Sequence, residues 1–292
     1  MKFNILLIGI FVTFFSSFHA QEISIENLKK DVSYLASEAL QGRLTGSEGE
    51  KLAAEYIAER FKSFGLKPLA EEGSYFSTFD YRWKPRHQED AEPIPITGIN
   101  VSAFLDNGAD YTVIIGAHYD HLGKGEYGGS RAGQDNTLPH FGADDNASGV
   151  AGVLALAEWL SKNERQEHFN FIFACFSGEE QGLIGSKAFV NDAKFSKGNV
   201  SYMINFDMIG RLDPEKRKLF VYGVGTAPEW VELVTAVNDD DRYNFQLVKD
   251  STGMGPSDHA SFYLAQIPVL YFHTGVHDDY HKPDDTADKI NY

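Results

Sequence analysis

TVIIGAHYD, residues 112–120, is a short apolar run that ends on a histidine and an aspartate. Three more such runs follow, FNFIFACF (169–176), VSYMINF (200–206) and IPVLYF (267–272), with stretches of helical spacing between them. Short apolar runs alternating with helical pattern predict an α/β fold, a three-layer sandwich around a mostly parallel or mixed central sheet. What comes just past each run is of one chemical kind. His118 and Asp120 follow the first, Glu179 and Glu180 the second and Asp207 the third, while His281 stands a short loop after the fourth. Open α/β sheets bind ligands beyond the carboxyl ends of their strands, so these acids and histidines are predicted to meet there.

Between the first two runs lies GADDNASG (142–149), directly ahead of Val150, Val153, Leu154, Ala157 and Leu160 on one helical face. Asp, Asn and Ser are ordinary helix caps, which gives this stretch a plain structural reading. The other reading makes one of its two acids a partner of the strand-end cluster, and spacing alone does not choose between Asp144 and Asp145. Upstream, Ile23 to Leu40 has helical spacing. A second helix is predicted after a capping box of Ser47 and Glu50, running through Leu52, Tyr56, Ile57, Phe61 and Phe64 until Gly65 ends it. Residues 73–98, aromatic and proline-bearing without clear period, read as loop or edge strand.

The 292 residues are 42% apolar and 23% charged, a globular composition that predicts one domain over residues 21–292. Residues 1–20, MKFNILLIGIFVTFFSSFHA, read as a secretory signal peptide, with an uncleaved N-terminal anchor as the alternative. No later run is long enough to span a bilayer. Cys175 is the only cysteine, so an exported chain of this kind holds together by packing and bound metal, without an internal disulfide. That usage points to a periplasmic or secreted protein of bacterial type. A formal net charge of −16 lacks the basic footprint of a nucleic-acid binder.

Taken singly, each strand-end residue has an ordinary explanation as a core histidine, a turn or a cap. Together they do not, because carboxylates cannot ionise side by side in a partly buried crevice without compensating positive charge. A metal ion supplies that charge. Carboxylate and imidazole donors without thiolate suit zinc, with manganese or cobalt as substitutes, and three acids with two histidines suffice for two ions that share one bridging carboxylate. The chain has no HExxH zinc-protease motif, no GxSxG and no Walker A element.

The ordered set HYD (118–120), GADDNASG (142–149), SGEEQGLIGS (177–186), NFDMIG (205–210), SDHASF (257–262) and YHKPDDT (280–286) resembles the co-catalytic di-zinc aminopeptidases of the bacterial leucyl-aminopeptidase type. LQGRLTGSEGEKLAAEYIAERFKSFGLKP (40–68) is similar to the N-terminal segment of that family, so the resemblance covers essentially the whole chain after residue 20. It implies that Asp145 bridges two zinc ions, that His118 and Asp207 complete one site, and that Glu180 and His281 complete the other. Asp144 then supports the loop. Asp120 is expected to accept the His118 ring proton that faces away from metal. The implied reaction is removal of N-terminal residues from peptide or aminoacyl substrates by a water bridging the two ions. Glu179 serves as general base and Tyr280 as oxyanion donor, unless Tyr280 only packs beside the site.

The same resemblance leaves Asp258 and His259 as structural or supporting residues, gives His121, His140, His273 and His277 no role, and leaves Arg211 unassigned. Family relatives include glutaminyl cyclases and carboxypeptidases. Cyclases tend to carry a tryptophan shortly after the acid pair, where this chain has Gln181, Gly182, Leu183 and Ile184. The short span from Asp207 to His281 leaves little room for the domain that carboxypeptidase relatives insert. A non-catalytic binding module, the third alternative, fits poorly with a full set of ligands and a base.

Overall fold

A computed structural model describes residues 22–84, 90, 92–133, 137–192, 199–240 and 242–292. The predicted signal segment therefore lies outside the described residues. Thr112–His118 forms β4, every residue of it buried, and it pairs in parallel with β5 (Asn170–Phe176) on one side and β6 (Val200–Phe206) on the other. β6 pairs in parallel with β9 (Val269–His273). Four neighbouring parallel strands thus end at one edge, which is what brings His118, Ser177 to Glu180, Asp207 and the segment after His273 together.

Antiparallel strands flank this centre. β3 (Ile94–Leu105) pairs with β5, with the short β1 (Lys67–Pro68) and with β2 (Phe76–Trp83). β7 (Lys218–Tyr222) pairs antiparallel with β9 and parallel with β8 (Gln246–Asp250), completing a nine-stranded mixed sheet among the described residues. Within the stretch read as loop or edge strand over 73–98, β2 is an edge strand, paired along its length with β3 from Phe76 opposite Val101 to Trp83 opposite Ile94.

Helices cover both faces, as the burial of both alternating sets of β4 side chains requires. Val113, Ile115 and Ala117 pack under α1 (Ile25–Leu35), α2 (Glu48–Ser63) and α3 (Gly149–Lys162). Ile114 points the other way, into a cluster with Phe176, Met203, Val269 and Phe189 of α4 (Ile184–Asn191) and Phe262 of α6 (His259–Leu264). α5 (Trp230–Asn238) seats Trp230 edge-on against Tyr202 at 4.9 Å. The helical spacing from Ile23 to Leu40 resolves into α1 and a separate 3₁₀ turn at Glu38–Leu40. No helix among the described residues is long and apolar enough to cross a membrane.

The predicted capping box at α2 is half formed. Ser47 accepts from the Glu50 N–H at 3.2 Å, but the Glu50 carboxylate reaches past the cap to the N–H groups of Gly46 (2.6 Å) and Ile99 (3.0 Å) and accepts from the Ser177 hydroxyl. It ties the helix start to β3 and to the loop ahead of Glu179. Burial raises this carboxyl to about 7, against the three hydrogen bonds that lower it. Because the folded value exceeds the ordinary one, the fold holds this proton more tightly than the unfolded chain does. Stability from this group is therefore fullest below pH 4.5 and is lost as pH rises through about 7. Glu50→Gln should remove that dependence. Relative to wild type, its unfolding free energy from urea titrations should gain about 3–4 kcal/mol between acid and alkaline pH, each tenfold difference in proton affinity being worth about 1.4 kcal/mol; a difference that stays constant with pH would refute it.

Candidate metal centre

At the end of β4, His118 Nε2 stands 3.3 Å from Asp145 Oδ1 and 3.4 Å from Asp207 Oδ1. On the far side of Asp145, His281 Nε2 stands 3.2 Å from Oδ2 and 3.4 Å from Glu180 Oε2. All five residues expected to bind metal therefore come together around one carboxylate. A small cavity of ≈ 90 Å³ opens onto them, with Glu179, Tyr280, Met208 and Tyr271 in its wall.

Local structure fixes each of these groups. Gly142 takes a left-handed turn (φ 57°), where a side chain would strike the His121 ring at 2.6 Å, and the chain then winds through a π turn over Ala143–Ser148 that leads into α3. Asp144 faces away from the cavity. It accepts from Ser148 Oγ (3.0 Å) and from the Gly210 N–H (2.6 Å), pinning the loop to the segment after β6. His281 is held at φ 59°, and its Nδ1 donates to the Gly129 carbonyl at 2.8 Å, leaving Nε2 free to face the carboxylates. The Gly129 loop contains GKGEYG (123–128), glycine-spaced like a nucleotide loop but itself a run of turns, with irregular chain and no helix over 129–133.

The expected role of Asp120 needs a correction in its atoms. His118 Nδ1 meets the Asp120 backbone carbonyl at 3.2 Å, while the carboxylate stands off at 3.7 Å. That carboxylate instead accepts from the N–H groups of Glu179 (3.1 Å) and Glu180 (3.4 Å), so Asp120 orients both the ring and the acid pair. Tyr280 stacks on the His281 ring at 3.8 Å, and the Arg131 guanidinium lies over the Tyr280 ring at 4.7 Å. Asp258 and His259 are buried outside both groups of candidate ligands, His259 stacked on Tyr271 at 4.5 Å. Arg211 pairs with Asp279 at 3.1 Å.

The electrostatics are those of crowded acids. Burial first, then Glu180, Asp207 and Asp258, push Glu179 well above the usual carboxylate range, although His118 opposes this. Burial and Asp145 raise Glu180 to about 8. Burial lowers His281, but the Asp145 hydrogen bond and the Glu180 charge outweigh it and bring the ring to about 9. A cation placed among these groups relieves all of this at once.

Three residues with work at this site were not singled out from sequence. Arg43, fully buried, donates to the carbonyls of Tyr119 (2.7 Å), Phe141 (2.8 Å), Gly142 (2.9 Å) and Leu35. Asp285 accepts from the N–H groups of Asp144 (2.9 Å) and Asp145 (3.1 Å). His121 places Nδ1 2.7 Å from Glu180 Oε1, and its ligand atom lies within 4.8 Å of those of Asp145 and Glu180, as a metal-holding trio requires. Only position in motif offered a signal: all three sit inside stretches quoted for the resemblance or directly beside one.

Fold and cluster together define a layered α/β protein with a candidate carboxylate and imidazole metal centre at its strand ends. Residues 100–292 match Peptidase family M28, and the chain belongs to that family. It is 29% identical over 273 residues to leupeptin-inactivating enzyme 1 of Streptomyces exfoliatus, a match covering 92% of this chain and 53% of that protein. Similar solved structures include a Zn-dependent exopeptidase from Parabacteroides distasonis (17% identity, TM-score 0.73, 94% of each chain). A glutaminyl cyclase from Bacteroides thetaiotaomicron is also similar (16% identity, TM-score 0.71, 94% of each chain). At such identities the likeness is one of fold. The chain spans about half the length of most of the curated relatives it matches.

Proposed function

We propose that this chain is a zinc-dependent aminopeptidase that holds two zinc ions. One observation carries the reading: the two oxygens of Asp145 face two different imidazoles, His118 at 3.3 Å and His281 at 3.2 Å. His118, Asp145 and Asp207 would hold one ion, and Asp145, Glu180 and His281 the other. The spacing fits zinc. Donor atoms about 2.0–2.1 Å from a tetrahedral ion lie about 3.3–3.4 Å apart, and the four imidazole-to-carboxylate distances run from 3.2 to 3.4 Å.

When bound, zinc polarises the scissile carbonyl and eases deprotonation of water near neutral pH. Glu179, on the cavity wall and outside both ligand sets, takes the proton of the attacking water and delivers it to the leaving amine. The Tyr280 hydroxyl donates to the developing oxyanion. The acidic lining of the cavity, Asp145, Glu179, Glu180 and Asp207, supports a substrate with a free, positively charged N-terminus. Export to the periplasm or medium belongs to the same proposal and rests on the apolar segment 1–20.

The test is zinc content of the purified protein alongside hydrolysis of a panel of aminoacyl arylamides, before and after chelation and with zinc restored. About two ions per chain, with release of N-terminal residues abolished by chelator and regained with zinc, is the expected result. A single ion with closure of N-terminal glutamine and no hydrolysis would replace the reading with a cyclase, and neither metal nor turnover would replace it with a binding module.

A further inference from the structure

Two imidazoles, not one, converge on Glu180. His281 Nε2 approaches Oε2 at 3.4 Å and His121 Nδ1 approaches Oε1 at 2.7 Å. Distance separates their roles. The spacing of donors around one tetrahedral zinc is about 3.3–3.4 Å, which His281 meets toward both carboxylates, at 3.2 and 3.4 Å. His121 misses it in both directions, too close to Glu180 for a fellow ligand and too far from Asp145, at 3.9 Å. A separation of 2.7 Å is that of a charge-assisted hydrogen bond.

We infer that His121 is a positioning residue: it donates its Nδ1 proton to Glu180 Oε1 and so presents Oε2 alone to the metal beside His281. The inference rests on the two-zinc reading of this site. A metal-bound carboxylate only accepts, so the shared proton belongs to the imidazole. The other ring nitrogen, Nε2, is buried without a partner among the described residues, and a bare lone pair there is less costly than an orphaned N–H. The ring is held in place from several sides. Its backbone N–H donates to the Arg43 carbonyl at 3.1 Å, and its face closes on Gly142, where any side chain would lie 2.6 Å away. The His281 and His140 rings meet it edge-on at 5.9 and 6.3 Å. Such supports set ligand orientation, and removing one weakens metal binding without removing a ligand.

Stepwise zinc affinity of the chelator-stripped protein, read by competition with a chromophoric zinc indicator, tests this directly. His121→Leu should still take up two ions, one with affinity about 10- to 100-fold weaker and the other within about twofold of wild type. His121→Asn, whose side-chain amide overlies the Nδ1 end of the ring, should restore most of the loss. If the leucine variant does not fold, His121→Gln takes its place, because its amide falls at the Nε2 end and cannot reach Oε1 in the same way. Loss of one whole ion from the variants, with no rescue by asparagine, would make His121 a ligand and overturn the inference. Unchanged affinities with a lower melting temperature would make it packing and overturn it equally. Wild type that binds fewer than two ions would instead fail the reading on which the inference stands.

Discussion

Glu179→Gln should lower kcat for aminoacyl arylamides by about 10³ or more while zinc content stays at the wild-type level. The substitution keeps the shape of the side chain and removes only its ability to carry a proton. Glu179 is outside both proposed ligand sets, so ions bound there would keep their donors. Its backbone N–H to Asp120 at 3.1 Å does not involve the side chain, so the acid pair keeps its orientation. A 10³-fold loss corresponds to about 4 kcal/mol of barrier. Residual turnover should also lose the acid limb of the pH profile, since a base must be deprotonated to act and glutamine does not titrate. Metal analysis and steady-state kinetics on the same preparation decide it. Near-normal kcat with full zinc would remove Glu179 from the reaction, and loss of zinc would make it a ligand.

Legibility from sequence followed burial. The parallel strands were readable because both faces are covered, which leaves β4 uniformly apolar from Val113 to Ala117 apart from Gly116. β3 was not, because it buries Asn100 and Ser102 and interrupts its own apolar pattern; Asn100 spends its amide on the Gly185 carbonyl at 2.8 Å. β7 and β8 are short and half-buried, where period is weakest. The strand-end ligand candidates were readable for a related reason: charged residues directly after apolar runs stand out. Apart from the Arg43 bond to Leu35, 8 positions away, Arg43, His121 and Asp285 act at the site through hydrogen bonds to groups 59 to 141 positions away, and no local pattern encodes such a partner.

Arg43 is where that long-range bonding has its largest expected effect on stability. Its guanidinium is buried yet pairs with no carboxylate among the described residues; four main-chain carbonyls, at Leu35, Tyr119, Phe141 and Gly142, take its protons. Those carbonyls belong to the end of α1, the turn after β4 and the approach to Asp144 and Asp145. Gln41, Gly42 and Arg43 all adopt left-handed backbone to bring the side chain in, and at Gly42 a side chain would strike the Gly123 carbonyl at 2.6 Å. Burial lowers the guanidinium to about 10 while Asp145, Asp120, Asp285 and Glu180 hold it up, so it stays charged at neutral pH. Arg43→Met fills similar volume and abandons every carbonyl. Gly142 keeps the Ala147 N–H at 3.2 Å, but each of the other buried acceptors left without a partner costs about 1–3 kcal/mol, so the unfolding free energy should fall by about 4–5 kcal/mol and the melting temperature by about 10 °C. Arg43→Lys should recover less than half, because a point charge on a flexible stem cannot span the fork. The same loosening frees the Asp145 loop, so zinc should dissociate faster from Arg43→Met than from wild type. A loss under about 1 kcal/mol, or full rescue by lysine, would show that charge near the site and not the four-way bridge is what Arg43 supplies.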